Sequence, residues 1–136
     1  MSAFAAIDVS RTGLGFNQYW MEVVSHNVAN INTMTAPGEA PFRQRFVVAA
    51  PNTDEFTPSG SGVHVAGVVE DPTEAALVSS PGHPLADDEG RVQAAVVDLS
   101  GQLTDLMIAQ RGYQANSRAI NSAREAYASA LRIGER

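Results

Sequence analysis

Three absences narrow the function of this chain before any motif is read. There is no cysteine, which excludes a disulfide framework, a thiolate metal site and a Cys nucleophile. All nine basic residues counted as Lys or Arg are arginine, and they form no basic stripe of the kind that neutralises phosphates, so nucleic acid is excluded as a partner. No apolar run approaches the roughly 18 residues of a membrane-spanning helix, which argues against membrane insertion. The N-terminus also lacks the charged, apolar, small-residue order of a secretory signal. Export, if it occurs, is expected by a route without a cleaved signal of that type.

The charge that is present is unevenly distributed. Of the formal net charge of −6, residues 1–36 and 98–136 contribute almost nothing on balance. Residues 37–97 carry nine acids against Arg43, Arg45 and Arg91. Two nearly neutral arms flanking an acidic, solvated middle suggest arms that pack and a middle that faces water. These three stretches are read as the organisational units of a chain long enough for one compact domain.

The arms carry the strongest periodicity. Leu99, Leu106, Tyr113, Ile120 and Tyr127 repeat every seven residues, as in a helix whose stripe packs along another helix. Asp98 is placed to cap the N-terminus, and Arg132 and Gly134 suit the C-terminus. From Asp98 to Ile133 the rise of about 1.5 Å per residue gives a rod of roughly 54 Å. Gly112 in its middle costs about 1 kcal/mol relative to Ala, which marks it as a point of close approach. The N-terminal arm repeats the pattern more weakly: Ile7, Leu14, Met21 and Val28 are also spaced by seven within a predicted helix from Ser2 to Asn32. Gly13 and Gly15 weaken that helix, so the arms are expected to order fully only when copies pack side by side.

Between the arms, Phe42–Val48 and Val63–Val69 read as two strands of a small β-hairpin. The Pro51–Gly62 connection is rich in turn residues and is expected to be mobile. From Glu70 to Ala95 the turn signals predict extended loop. The fold class is therefore mainly α, with long terminal helices pairing as a coiled-coil-like hairpin around a small β-hairpin and loops.

The polar clusters suggest little chemistry. His83 near Asp87, Asp88 and Glu89 lacks the three-ligand set that zinc chemistry needs, and a solvated acidic turn is the better account. Neither His26 nor His64 accompanies a recognisable nucleophile. Gly13-Leu14-Gly15 is no phosphate loop, having no preceding strand. No enzyme, metal or cofactor is expected. The asparagines carry more: Asn27, Asn30 and Asn32 cluster at the end of the first arm, and Asn116 and Asn121 flank the row on the second. For Asn30 and Asn116 a register-fixing amide in a helix interface is favoured.

These residues carry a family resemblance. Asn27-Val28-Ala29-Asn30-Ile31-Asn32-Thr33 resembles the Asn-Leu-Ala-Asn-x-x-Thr motif of flagellar axial proteins, and Tyr113-Gln114-Ala115-Asn116 resembles the Tyr-Gln-Ala-Asn motif of their C-terminal helix. Pro81–Val92 and Pro41-Phe42-Arg43 are similar to stretches of the short proximal-rod members, although Arg91 stands where Tyr is usual and Gly112 where Ala or Ser is common. The resemblance covers nearly the whole chain. It implies a structural, torque-transmitting subunit of the bacterial flagellar basal-body rod, crossing the periplasm and exported by the flagellar type III apparatus. Its implied partners are copies of itself and other rod proteins. Another axial protein or a soluble coiled-coil adaptor are the alternatives. The expected interface residues are Ile7, Leu14, Met21, Asn27, Val28, Asn30, Leu99, Leu106, Gly112, Tyr113, Asn116, Ile120, Asn121 and Tyr127.

Overall fold

A computed structural model describes residues 3–53 and 61–134. Most of the predicted Pro51–Gly62 loop, residues 54–60, lies outside the described residues. Two helices dominate: α1, Ala3–Ala29, and α2, Leu99–Gly134. The 36 residues of α2 make a rod of about 54 Å at the usual rise. Asp98 stands at its N-cap. The Asp98 carbonyl accepts from Gln102 N–H at 2.9 Å, and the Asp98 N–H donates to Gln44 Oε1 at 3.0 Å. Gly134, expected just past the end, is still helical.

The end of α1 explains why Asn, Asn and Thr recur there at three-residue spacing. Asn30 Nδ2 donates at 2.9 Å to the His26 carbonyl, which also accepts the Asn30 backbone N–H at 3.2 Å, so the last turn of the helix is closed twice on one acceptor. Thr33 then closes a turn onto Asn30, its N–H donating to the Asn30 carbonyl and its hydroxyl to Asn30 Oδ1.

The middle holds more strand than the sequence reading allowed. The expected hairpin is present as β2, Arg45–Pro51, antiparallel to β3, Val63–Glu70, with a bulge between Val48 and Ala49. β2 starts three residues later than expected, because Gln44 turns inward and Arg43 forms an isolated parallel bridge with Val96. The predicted loop from Glu70 to Ala95 is corrected: β4, Ala76–Ser79, and β5, Arg91–Ala94, pair antiparallel. The two-residue β1, Met34–Thr35, adds to the far edge of β5. The acidic turn between β4 and β5 aligns them. Asp87 accepts from Arg91 N–H at 2.8 Å and from Glu89 N–H at 3.0 Å, and Ser80 N–H reaches the Gly90 carbonyl at 2.7 Å. Val92 is the fully buried apolar residue of this small sheet. The fold is thus two long helices with two small antiparallel sheets.

Candidate assembly interface

The helix pair is built from its small residues upward. Fourteen residues forward along α1, from Gly13 to Asn27, correspond to fourteen back along α2, from Asn116 to Gln102. The helices are therefore antiparallel, and Phe4 meets Tyr127 edge-on at 5.1 Å near the α1 N-terminus. Ser10, Asn17, Val24 and Asn27 are the buried residues of α1 with side chains beyond hydrogen, and Gln102, Ala109 and Ile120 are those of α2. The seam is mostly small and polar.

At its centre lies a reciprocal arrangement. Asn17 Nδ2 donates to the Gly13 carbonyl at 2.7 Å, and Asn116 Nδ2 donates to the Gly112 carbonyl at 2.9 Å, each bond reaching back four residues on its own helix. Each amide then rests on the glycine of the other helix. A Cβ on Gly13 would come within 2.7 Å of the Asn116 amide, and one on Gly112 within 2.5 Å of Asn17 Oδ1. Only glycine permits this approach. The mid-helix Gly112 thus marks a close contact, as its position suggested, although what it meets is a side chain and not a backbone.

One end of the seam is tied by a polar knot. Asn27, fully buried, donates to the Arg45 carbonyl and to Gln102 Oε1, each at 2.7 Å, and accepts from Arg45 N–H at 2.9 Å. It therefore joins α1, the start of β2 and the first turn of α2. Gln44, also buried, holds the α2 cap through Asp98. Neither Gln44 nor Gln102 was singled out from the sequence. A buried glutamine has no periodic signature, and only the offset of Gln102 by seven from Ala109 and fourteen from Asn116 hints at the line.

The apolar rows predicted as the seam stand beside it. In both helices each row follows the buried line by four residues, as Leu14 follows Ser10, Met21 follows Asn17 and Leu106 follows Gln102. Four residues turn a helical position about 40°. Because the helices are antiparallel, the same turn in both brings both rows to one flank of the pair. Phe4, Ile7, Arg124 and Tyr127 line a common recess there. Ile7, Leu14, Met21, Val28 and Leu106 are half-buried, whereas Leu99, Tyr113 and Tyr127 are exposed. Ile120 reaches deepest, at 9 % exposure. Asn121 points to solvent. Leu103, Met107 and Leu131 add exposed apolar surface to α2.

The opposite flank is occupied. Tyr19, Glu22, Val23 and His26 of α1 line a groove with Arg45, Val68 and Glu70 of the β-hairpin, and Thr12 Oγ1 accepts from Val63 N–H at 3.0 Å. Residues two apart on a helix point about 160° apart, so Tyr19 and Val23 face away from Met21. Among the described residues α2 packs on α1 and on no strand.

The polar clusters outside the helix pair are spent on local structure. The Arg91 N–H, followed by the Arg91 guanidinium, holds Asp87 below the usual carboxylate range. The Thr73 hydroxyl and N–H do the same for Asp71. The His83 Nδ1 accepts from Leu85 N–H at 3.2 Å.

Residues 88–133 match the family described as flagellar basal body rod FlgEFG protein C-terminal. The flagellar basal-body rod protein FlgC of Borreliella burgdorferi is 33 % identical over 98 % of both chains. FlgC of Bacillus subtilis is also 33 % identical, over 99 % of this chain and all of its own, and FlgC of Salmonella typhimurium is 32 % identical over the same shares.

Proposed function

The chain belongs to the FlgC family of flagellar basal-body rod proteins and is a structural subunit of the rod, and from that premise we propose that it polymerises through the bare flank of its helix pair. The observation that carries this is the placement of the two apolar rows. Ile7, Leu14, Met21 and Val28 lie beside Leu99, Leu106, Tyr113, Ile120 and Tyr127 on one side, with no described element over them. An apolar face of that extent on a long rod is a contact surface.

In this reading Asn27, Gly112 and Asn116 hold the two arms, residues 1–36 and 98–136, as a coiled-coil-like hairpin, Asn30 closes the end of the first arm through His26 and Thr33, and Asn121 contributes at its rim. The acidic middle, 37–97, lies outside the packed helices. The subunit takes its place in the proximal rod, transmits torque across the periplasm, and contacts other rod proteins. It reaches that place through the flagellar type III apparatus. Arms joined by a polar seam separate at little cost, which suits a chain that crosses a narrow channel and orders outside it.

Sedimentation and circular dichroism on one purified sample test the proposal. The dilute monomer should show less helix than the 27 and 36 residues of α1 and α2 require, with helix content rising as open-ended polymers form. A fully helical species that stops at a discrete dimer overturns it.

A further inference from the structure

The β-hairpin runs along α1 and is tied to it at two places of unequal strength. At one end Asn27 accepts the Arg45 N–H at 2.9 Å and donates to the Arg45 carbonyl at 2.7 Å. At the other end a single bond remains, from the Val63 N–H to Thr12 Oγ1 at 3.0 Å. The lengths agree: Thr12 to Asn27 rises about 22 Å along the helix, and Arg45 to Pro51, the partner of Val63, spans about 20 Å of strand. The Thr12 hydroxyl donates to the Val9 carbonyl at 2.7 Å, so an oxygen lone pair is what it turns to Val63. Gly62, at φ +125°, permits the approach, because a Cβ there would collide with Thr12 Oγ1. Between the two ties stands the bulge. Val48 pairs with Gly67 and Ala49 with Val65, which leaves Ala66 unpaired and the ladder locally broken. Beyond it, Asn52 binds the far half of the hairpin into one piece. Its N–H donates to the Gly62 carbonyl at 2.8 Å, its carbonyl accepts the Ser61 N–H at 2.7 Å, and its Oδ1 lies 2.6 Å from His64 Nδ1.

We propose that this far half, Ala49–Pro51 with Val63–Val65, is a strap that swings at the bulge and is latched on α1 by Thr12 and Gly62, while the near half stays anchored by Asn27. The anchor is a fully buried amide that also reaches Gln102 on α2, so it cannot open without disturbing the helix pair. The latch is different. Val63 N–H is an edge donor of a two-stranded sheet, and once the strap lifts, water satisfies both the N–H and the hydroxyl. One neutral hydrogen bond of that kind shifts an equilibrium by about two- to tenfold. The swing leaves α1 and α2 in register, because among the described residues α2 packs on α1 and on no strand. It uncovers the side of α1 that carries Thr12, Tyr19 and Val23, which follow one another by seven and four residues on one helix side. That side is distinct from both the seam and the apolar flank, and the strap controls access to it. The device goes beyond the rod reading and does not depend on how copies assemble.

Spin-label distances read the motion, since the native chain has no cysteine to compete for the label. Ala49→Cys/Arg118→Cys reports the strap against α2, and Val69→Cys/Arg118→Cys reports the anchored half; all three positions are exposed. In the purified full-length subunit, Thr12→Val should raise the long-distance fraction of the first pair about two- to tenfold and leave the second pair unchanged. Gly62→Ala should do the same from the hairpin side, and Thr12→Ser, which keeps the hydroxyl, should give the native distribution. No change of the first pair in Thr12→Val and Gly62→Ala overturns the proposal. Equal change of both pairs also overturns it, because the whole hairpin would then leave α1 and the bulge would be no hinge. Amide exchange on the unsubstituted chain tests the strap without any variant. The Val63–Val65 amides should exchange together and faster than the Arg45 N–H, and uniform exchange along the hairpin refutes the device. Either failure leaves the rod reading intact.

Discussion

Within one helix pair, two lines separated by about 40° of rotation are made of different materials. The seam between α1 and α2 buries Ser10, Asn17, Asn27 and Gln102 beside Val24 and Ala109, with two glycines at its centre. The flank beside it presents Ile7, Leu14, Met21, Leu106 and Tyr113. In a self-sufficient helical hairpin the assignment would be reversed, with the apolar stripe inside and amides facing water. Here the polar and small residues decide which turn of α1 meets which turn of α2, because buried amides tolerate one register and glycines one depth of approach. The apolar residues contribute little to that decision. In the proposed assembly their burial is left to a neighbour, and the chain's largest source of stabilisation would then be released on assembly and not on folding.

The largest expected effect comes from charging the flank. Tyr113→Asp should eliminate motility and rod incorporation, because a carboxylate buried between copies has no partner. The purified subunit should lose less than about 1 kcal/mol in urea unfolding, as expected of a substitution at an exposed position. If Tyr113→Asp instead unfolds the isolated subunit, the row is part of the folded core and the contrast between seam and flank is broken.

The seam gives the next effect. Asn27→Leu keeps the branching at Cγ and removes three hydrogen bonds, leaving the Arg45 N–H, the Arg45 carbonyl and Gln102 Oε1 without partners. The expected loss is about 2–4 kcal/mol in urea unfolding, the cost of orphaned buried polar groups. Asn27→Asp should cost at least as much, since it still accepts from Arg45 N–H but sets a buried carboxylate against the Arg45 carbonyl and Gln102 Oε1 with no proton to donate. A neutral Asn27→Leu would show that the knot is solvated and that apolar contacts fix the register after all.

How much of this was legible beforehand follows from the same contrast. Periodicity reports apolar surface, so both helices, the Asp98 cap and the hairpin could be read from spacing and turn residues. It does not say which partner covers a row, and Leu14 and Leu106 look alike whether they face their own chain or the next. The true seam is silent to that method, because Gly13, Asn17, Gln102 and Asn116 have no hydrophobic pattern. Gly112 was legible through its cost in mid-helix, which pointed to a reason for its presence. The pairing of β4 with β5 was hidden for a different cause. Ala76–Ser79 and Arg91–Ala94 are four residues each, too short to show alternation, and the Asp87 turn that aligns them works through backbone N–H groups.

The smallest effect is the most discriminating, because three glycines of the helix pair sit in different surroundings. Gly15 has nothing within 4 Å of where a Cβ would stand, whereas Gly13 and Gly112 have the amides of Asn116 and Asn17 there at 2.7 Å and 2.5 Å. Gly15→Ala should therefore stabilise the subunit by about 1 kcal/mol, the full difference in helix propensity. Gly112→Ala gains the same propensity but must push Asn17 away from the Gly13 carbonyl, which costs about 0.5–1.5 kcal/mol for the lost hydrogen bond. The net change should be near zero or destabilising, and Gly13→Ala should behave alike through Asn116. Removing the obstacle restores the gain, so Gly112→Ala/Asn17→Ala should be more stable than Asn17→Ala alone. Equal stabilisation by all three single substitutions in thermal unfolding would mean that the helices do not approach at Gly13 and Gly112. The polar seam would then give no register, and the orientation of the apolar flank would be set by assembly alone.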